Sequence, residues 1–327
     1  MKIKNLPEII IPEIKTSKKL KIFYVADVCN WSFHLKGIQY KKHLPEFDID
    51  IGFATDNWIE QCTKKNYDVV VHLHEQYIKE VKALKEFILE QNKKGTKVLL
   101  TINEVICPYD LIMKKEKLLL YNGISVNNPY MLQNLLNLGF KNIFLTYDGV
   151  DLETFFVEKE FSKRDFGVFF SSSMMRMVHK GYNILQDVKF MLKKHKDIYF
   201  KEVYSDSYNN KVTWQEMRAF YNNCKIFLCL SQSEGGPCTF LESAACGCVP
   251  VMTDVGYSNY FKSCSFISRN ASSCVEKILE FKNNQDLLLS KHELLLTEVK
   301  NWDSKLFAKQ WGNFWCKSYY ENIGNYS

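Results

Sequence analysis

No stretch of the 327 residues approaches the roughly 18 uninterrupted apolar positions that a membrane-spanning helix needs, which excludes such a helix. Residues 1–21 mix Lys, Glu and Pro and have no apolar h-region, which predicts no secretory signal peptide. The eleven cysteines include no CxxC pair, and several, such as Cys224, Cys229 and Cys246, sit in apolar runs. That scatter argues against a disulfide framework or a four-ligand zinc site, and predicts reduced thiols in a cytoplasmic setting. No clear Asp-x-Asp metal motif stands at a strand end, so no residue is assigned to a metal. Internal repeats, low-complexity tracts and long linkers are missing too. The net charge of +6 is modest and has no basic stripe with interleaved aromatics to go with it. A nucleic acid is therefore the less favoured partner. An anionic membrane surface, met peripherally, or a phosphorylated small molecule suits the charge equally well.

What is present suits two α/β domains of about 150 residues each. Hydrophobic residues make up 46% of the chain and charged residues 24%, enough apolar material for two cores. Short apolar runs alternate with helical patterns along the whole length. Strands are expected at Lys21–Ala26, Asp48–Ala54, Tyr67–His74, Lys97–Ile102, within 118–126, and at Lys141–Thr146. Further strands are expected at Phe166–Ser173, Asp197–Val203, Cys224–Leu230 and Val249–Thr253. Between them, Ile78–Asn92 reads as an amphipathic helix, and Tyr130–Leu138 and Thr213–Tyr221 read as helices. Helices are also expected at Ala271–Phe281, Leu287–Val299 and over the aromatic-rich stretch Trp302–Tyr320.

The most informative stretch is Ser231–Gly256, SQSEGGPCTFLESAACGCVPVMTDVG. A buried strand (CKIFLCL) runs into a small polar turn, Ser231–Pro237, that neither periodic element can continue. Thr239–Cys246 reads as the next helix, with Thr239 as N-cap and Glu242 three residues on, in the pattern of a capping box. The turn thus lies at the carboxyl end of a strand, where open α/β sheets bind ligands. Glu234 in the turn and Glu242 on the helix have seven residues between them. The helix start adds free backbone N–H groups and the positive end of a dipole, suited to phosphate. Two carboxylates around an anion site fit a ligand with hydroxyls at both ends and phosphates between, as in a nucleotide sugar.

This stretch resembles the Glu-x7-Glu region of GT-B glycosyltransferases of family 4. Ser231, Glu234, Gly235, Pro237, Leu241, Glu242, Ala245, Cys246 and Gly247 fit the family pattern, Ser243 replaces a common Ala, and Pro250-Val251 closes it. Tyr147–Phe155 (YDGVDLETF) resembles the N-G-V-D-x-x-x-F segment that leads into the second domain of the family. The resemblance implies an α/β GT-B fold: two Rossmann-like domains facing a cleft, with the C-terminal helix crossing back to the first. The corresponding division is 1–150 for an acceptor domain, 151–300 for a donor domain and 301–327 for that helix. It covers the second domain well, from about 147 to 257, and the first only weakly.

The resemblance also assigns roles. Glu234 would face the donor sugar and Glu242 the ribose, with Gly235, Gly236, Pro237, Cys238 and Thr239 lining the donor. Lys180, before Gly181, matches the cation that neutralises the donor diphosphate. Arg176 lies four residues before it, displaced from the family position at Met174 or Met175. Acceptor-side candidates are Trp31, His74, Asn103 and Glu104. Here the chain departs from the family: the Gly-rich loop after the first strand is missing, and Asn103 stands where several members carry His.

The implied activity is transfer of a sugar from a UDP- or GDP-sugar to a glycan, lipid-linked or protein-linked acceptor, with retention of anomeric configuration and without an obligatory metal. A DNA-base glucosyltransferase, a nucleotide-sugar epimerase and a non-catalytic nucleotide-sugar-binding subunit are the rival expectations.

Overall fold

The computed structural model describes residues 18–73, 80–205 and 212–321. They fall into two compact units. One comprises 18–148 with 305–321, and the other Gly149–Ser304.

The first unit alternates β1 (Lys21–Ala26), α1 (Ser32–His43), β2 (Asp48–Phe53), α2 (Trp58–Lys64), β3 (Val69–His72) and α3 (Val81–Lys93). It continues through β4 (Lys97–Ile102), α4 (Pro108–Leu118), β5 (Gly123–Val126), α5 (Pro129–Asn137) and β6 (Ile143–Leu145). The six strands are parallel in the order β2-β1-β3-β4-β5-β6. Successive side chains of a strand point to opposite faces. On β1, Phe23 and Val25 therefore join one core with Val70, Leu84, Phe87 and Leu100, while Ile22 and Tyr24 join the other with Val71 and Leu99. Both faces are covered, which is why these strands read as apolar runs rather than alternating ones.

The second unit contains β7 (Gly167–Ser173), α6 (Tyr182–Met191), β8 (Tyr199–Ser205), α7 (Trp214–Asn223), β9 (Ile226–Cys229) and α8 (Cys238–Ala245). After these come β10 (Val249–Met252), β11 (Ser265–Phe266), α9 (Ala271–Asn283) and α10 (Gln285–Val299). Its five parallel strands run β11-β10-β9-β7-β8. The chain leaves β7 to one side for β8 and returns on the other for β9, so the strand order reverses between β7 and β9. Such a switch point opens a crevice at the carboxyl ends of the two strands.

The last helix, α11 (Ser304–Tyr320), lays Trp311, Phe314 and Trp315 into the second core of the first unit. The Trp311 indole donates to the Tyr147 carbonyl at 3.3 Å, and the Tyr147 amide donates to the Gln310 side chain at 3.1 Å. All eleven cysteines are free thiols. Among the described residues no helix is long and apolar enough to cross a membrane.

Two local expectations need correction. The apolar stretch 118–126 is not one strand: Leu118 ends α4, and only Gly123–Val126 is extended. Apolar periodicity over so few residues does not separate a helix end from a buried strand. The other concerns α8, which starts at Cys238 with Pro237 as its N-cap and no side-chain cap. Thr239 therefore lies inside the first turn and caps nothing. Proline's fixed φ and missing N–H suit it to the helix boundary.

Candidate functional site

At the switch point of the second unit the loops after β7 and β9 are tied together. The turn following β7 is closed by Lys180 N–H to Arg176 C=O at 2.9 Å and Tyr182 N–H to Met177 C=O at 2.9 Å. Gly181 follows with φ +82°, a left-handed conformation that favours glycine. A Cβ there would lie 2.5 Å from the Leu230 Cβ and 2.6 Å from the Leu230 carbonyl oxygen. Only glycine lets the first loop rest directly on the end of β9. Three further links hold the loops: His179 Nε2–H donates to the Ser233 carbonyl at 2.7 Å, and Gln232 N–H donates to the His179 carbonyl at 3.0 Å. The third is Arg269, which donates to the Leu230, Val178 and His179 carbonyls at 3.0–3.3 Å. Gly181→Ala is accordingly expected to cost at least about 1–2 kcal/mol from the left-handed backbone alone. A melting temperature equal to that of the wild type would contradict this close approach.

That scaffold brings Lys180 and Glu234 into a hydrogen-bonded ion pair, with both side chains only partly exposed. Glu242 sits one turn into α8, and its carboxylate accepts from the Tyr221 hydroxyl at 2.9 Å. Tyr221 is fully buried on α7. Burial first, then the Glu242 charge and hydrogen bond, hold that phenol protonated far above its ordinary range. Glu242 is therefore not the second half of a capping box but a carboxylate oriented from beneath by a buried tyrosine.

Between the two carboxylates, Gly235 and Pro237 are buried, while Gly236, Cys238 and Thr239 are partly exposed. A Cβ on Gly236 would fall 2.4 Å from the Tyr257 ring, so this loop also needs a bare backbone. The first N–H groups of α8 lack intrahelical partners by the geometry of any helix start. Arg176 is exposed in the single turn that follows β7 and closes that turn through its carbonyl.

The first unit has its own polar cluster at the carboxyl ends of its strands. Lys36 on α1 pairs with Asp148 at 2.8 Å. Asn127, just past β5, donates to the other Asp148 oxygen at 3.2 Å and to the Asn103 carbonyl at 3.4 Å. Asn103 follows β4, and its side-chain amide is buried without a hydrogen-bond partner among the described residues. Asp27 follows β1 and likewise buries one oxygen, Oδ1, without a partner. Burial pushes its pKa up to about 6, against the pull of the Val28 and Asp27 backbone N–H groups and of Lys36. Glu104 is partly exposed beside Asn103, and Trp31 stands half-buried at the N-cap of α1. His74 lies outside the described residues. Its neighbour His72 is fully buried among Trp58, Phe87 and Tyr121, and burial depresses its pKa to about 3, so it is a neutral core residue.

The sequence does not single out Tyr221, Asp27, Lys36, Asp148 or Arg269 as site residues. The one available signal was a charged residue immediately after the first apolar strand. Among the described residues no three His, Cys, Asp or Glu side chains are grouped to hold a metal ion.

Residues 206–293, which contain both Glu234 and Glu242, match the family model described as glycosyl transferases group 1. Solved structures extend the likeness to both units. The fold is that of GT-B glycosyltransferases. Sucrose-phosphate synthase from Thermosynechococcus elongatus superposes with a TM-score of 0.69 at 10% identity, over 90% of this chain and 98% of that one. Anabaena HepE, solved with UDP and glucose, gives 0.64 at 11% identity, over 89% and 98%. TarM gives 0.61 at 16% identity over 79% of this chain, which spans 57% of the TarM length. No curated protein matches the chain in sequence.

Proposed function

We propose that the chain is a glycosyltransferase that takes a nucleoside-diphosphate sugar, with UDP or GDP as the carrier, at the carboxyl edge of its second sheet. The observation that supports this most is the grouping at the β7/β9 switch point. There Lys180 on one loop pairs with the carboxylate of Glu234 on the other, and that second loop leads straight into the start of α8, which carries the tyrosine-held carboxylate of Glu242. In this reading Glu242 binds the ribose hydroxyls, and Gly235, Gly236, Pro237, Cys238 and Thr239 line the donor. Lys180, helped by Arg176, neutralises the diphosphate, and Glu234 receives the hydroxyls of the sugar.

The bond from the anomeric carbon to the phosphate oxygen breaks as the acceptor oxygen bonds to that carbon. The acceptor proton passes to the departing phosphate oxygen. Charge grows on that diphosphate in the transition state, where a fixed cation is worth most. Retention of configuration and a glycan or glycoconjugate acceptor belong to the proposal through the family resemblance. The acceptor is proposed to meet Trp31, Asn103, Glu104 and His74 of the first unit.

A thermal-shift panel of UDP-, GDP-, ADP- and CMP-sugars tests the donor site, because a ligand that binds only the folded state raises its melting temperature. One nucleotide sugar is expected to stabilise the wild type and to lose most of that shift in Glu242→Ala. No shift from any of them at millimolar concentration, with or without magnesium, would remove the basis of this reading. A donor that binds without hydrolysis or transfer would point instead to a non-catalytic binding subunit.

A further inference from the structure

We propose that the Lys180–Glu234 ion pair is a latch that makes the site favour a glycosylated nucleoside diphosphate over the free one. This rests on the donor-site reading above and assigns Glu234 a second task. The two side chains are 23% and 14% exposed, so water screens their attraction only in part. Their loops are pinned by Arg269, by His179 and by the close approach of Gly181 to Leu230. The pair is thus set by the scaffold, and an incoming diphosphate has to compete with Glu234 for Lys180 rather than wait for a loop to move.

The two ligands do not compete equally. A nucleotide sugar that takes Lys180 with its phosphates brings hydroxyls that donate to the freed Glu234 carboxylate, so the carboxylate exchanges one partner for others. A free nucleoside diphosphate brings no hydroxyl to that side and carries an extra negative charge on its terminal phosphate. It leaves a partly buried carboxylate unpaired beside an anion, which is costly. After sugar transfer the same balance favours return of Glu234 to Lys180 and departure of the diphosphate.

Isothermal titration of UDP, GDP and ADP, and of the matching nucleotide sugars, into wild type and Glu234→Gln tests the latch. The amide keeps the side chain's size and removes its charge; Glu234→Ala serves as a second variant, and melting temperatures check that both fold. Free diphosphate is expected to bind the Gln variant about five- to twenty-fold more tightly, because it no longer has to part a half-buried ion pair. The nucleotide sugar is expected to bind it more weakly, so the two affinities move in opposite directions. A loop that had merely loosened would weaken both ligands. Equal or weaker binding of free diphosphate in both variants overturns the latch while leaving the donor site standing. Failure of the wild type to bind any diphosphate or nucleotide sugar overturns both.

Discussion

Replacing Lys180 by methionine is expected to slow cleavage of the donor by about 10²–10³-fold, the usual cost of removing one preorganised group aimed at developing charge. Methionine keeps most of the stem and its packing, so the change is close to a deletion of charge. Donor binding should weaken far less than the rate, because the diphosphate carries most of its new charge only as the sugar leaves. The readout needs no acceptor: release of nucleoside diphosphate with water as the attacking group reports the same bond cleavage. The variant also strands Glu234, which loses its cation. A second variant, Lys180→Met with Glu234→Gln, separates the two effects. If the stranded carboxylate caused the loss, the double variant would recover; it is expected to stay slow. A single variant within about threefold of wild type would show that Lys180 does not face the charge that develops.

The two carboxylates of the proposed donor site were legible because they are near neighbours in sequence. A strand buried on both faces, a Gly- and Pro-containing turn and a short helix occupy one continuous stretch, and Glu234 and Glu242 fall at fixed places within it. What the same stretch concealed was the use made of Glu242. The spacing from Thr239 mimics a capping box, yet Pro237 takes the boundary and Tyr221, from the preceding helix, takes the carboxylate.

Lys180 could be named from a motif, but its pairing with Glu234 depends on β7 and β9 being adjacent, which the order of strands decides. The polar edge of the first sheet was harder still. Asp27, Lys36, Asn103, Asn127 and Asp148 come from five separate segments, and no single motif joins them. Their common place follows from six parallel strands that all end on one side. Asp148 also occupies the first position of the segment resembling N-G-V-D, where the family carries an amide. The structure shows what the acid does there, which is to pair with Lys36.

Asp27→Asn is expected to stabilise the protein at pH 8, a gain that disappears in acid. A carboxyl whose pKa rises from the ordinary 3.8 to about 6 on folding binds its proton more tightly in the folded state. Between those two values the folded chain holds more protons than the unfolded one, so stability falls as pH rises through that window. Below about pH 4 the acid is neutral in both states and the penalty is absent; above about pH 6 it is fully present. Roughly two pKa units correspond to about 3 kcal/mol, an upper figure for what asparagine can relieve. The amide oxygen can still accept the backbone N–H groups, so the substitution need not break what the carboxylate already makes.

Melting temperatures of variant and wild type at pH 4, 6 and 8 measure this, with a gain of several degrees expected at pH 6 and 8 and little at pH 4. Equal melting temperatures at pH 8, or a less stable variant there, would mean that the carboxylate is better solvated or better paired than its buried Oδ1 indicates. A buried acid that costs stability at neutral pH calls for a compensating use, and perturbed carboxyls gather at sites that bind or react. The proposed acceptor side supplies one: a hydroxyl donating to Oδ1 would meet an atom that has no hydrogen-bond partner among the described residues. The same variant should then keep donor cleavage by water and lose transfer to sugar acceptors. That pairing of a more stable protein with a poorer transferase would separate a binding carboxylate from one that is simply misplaced.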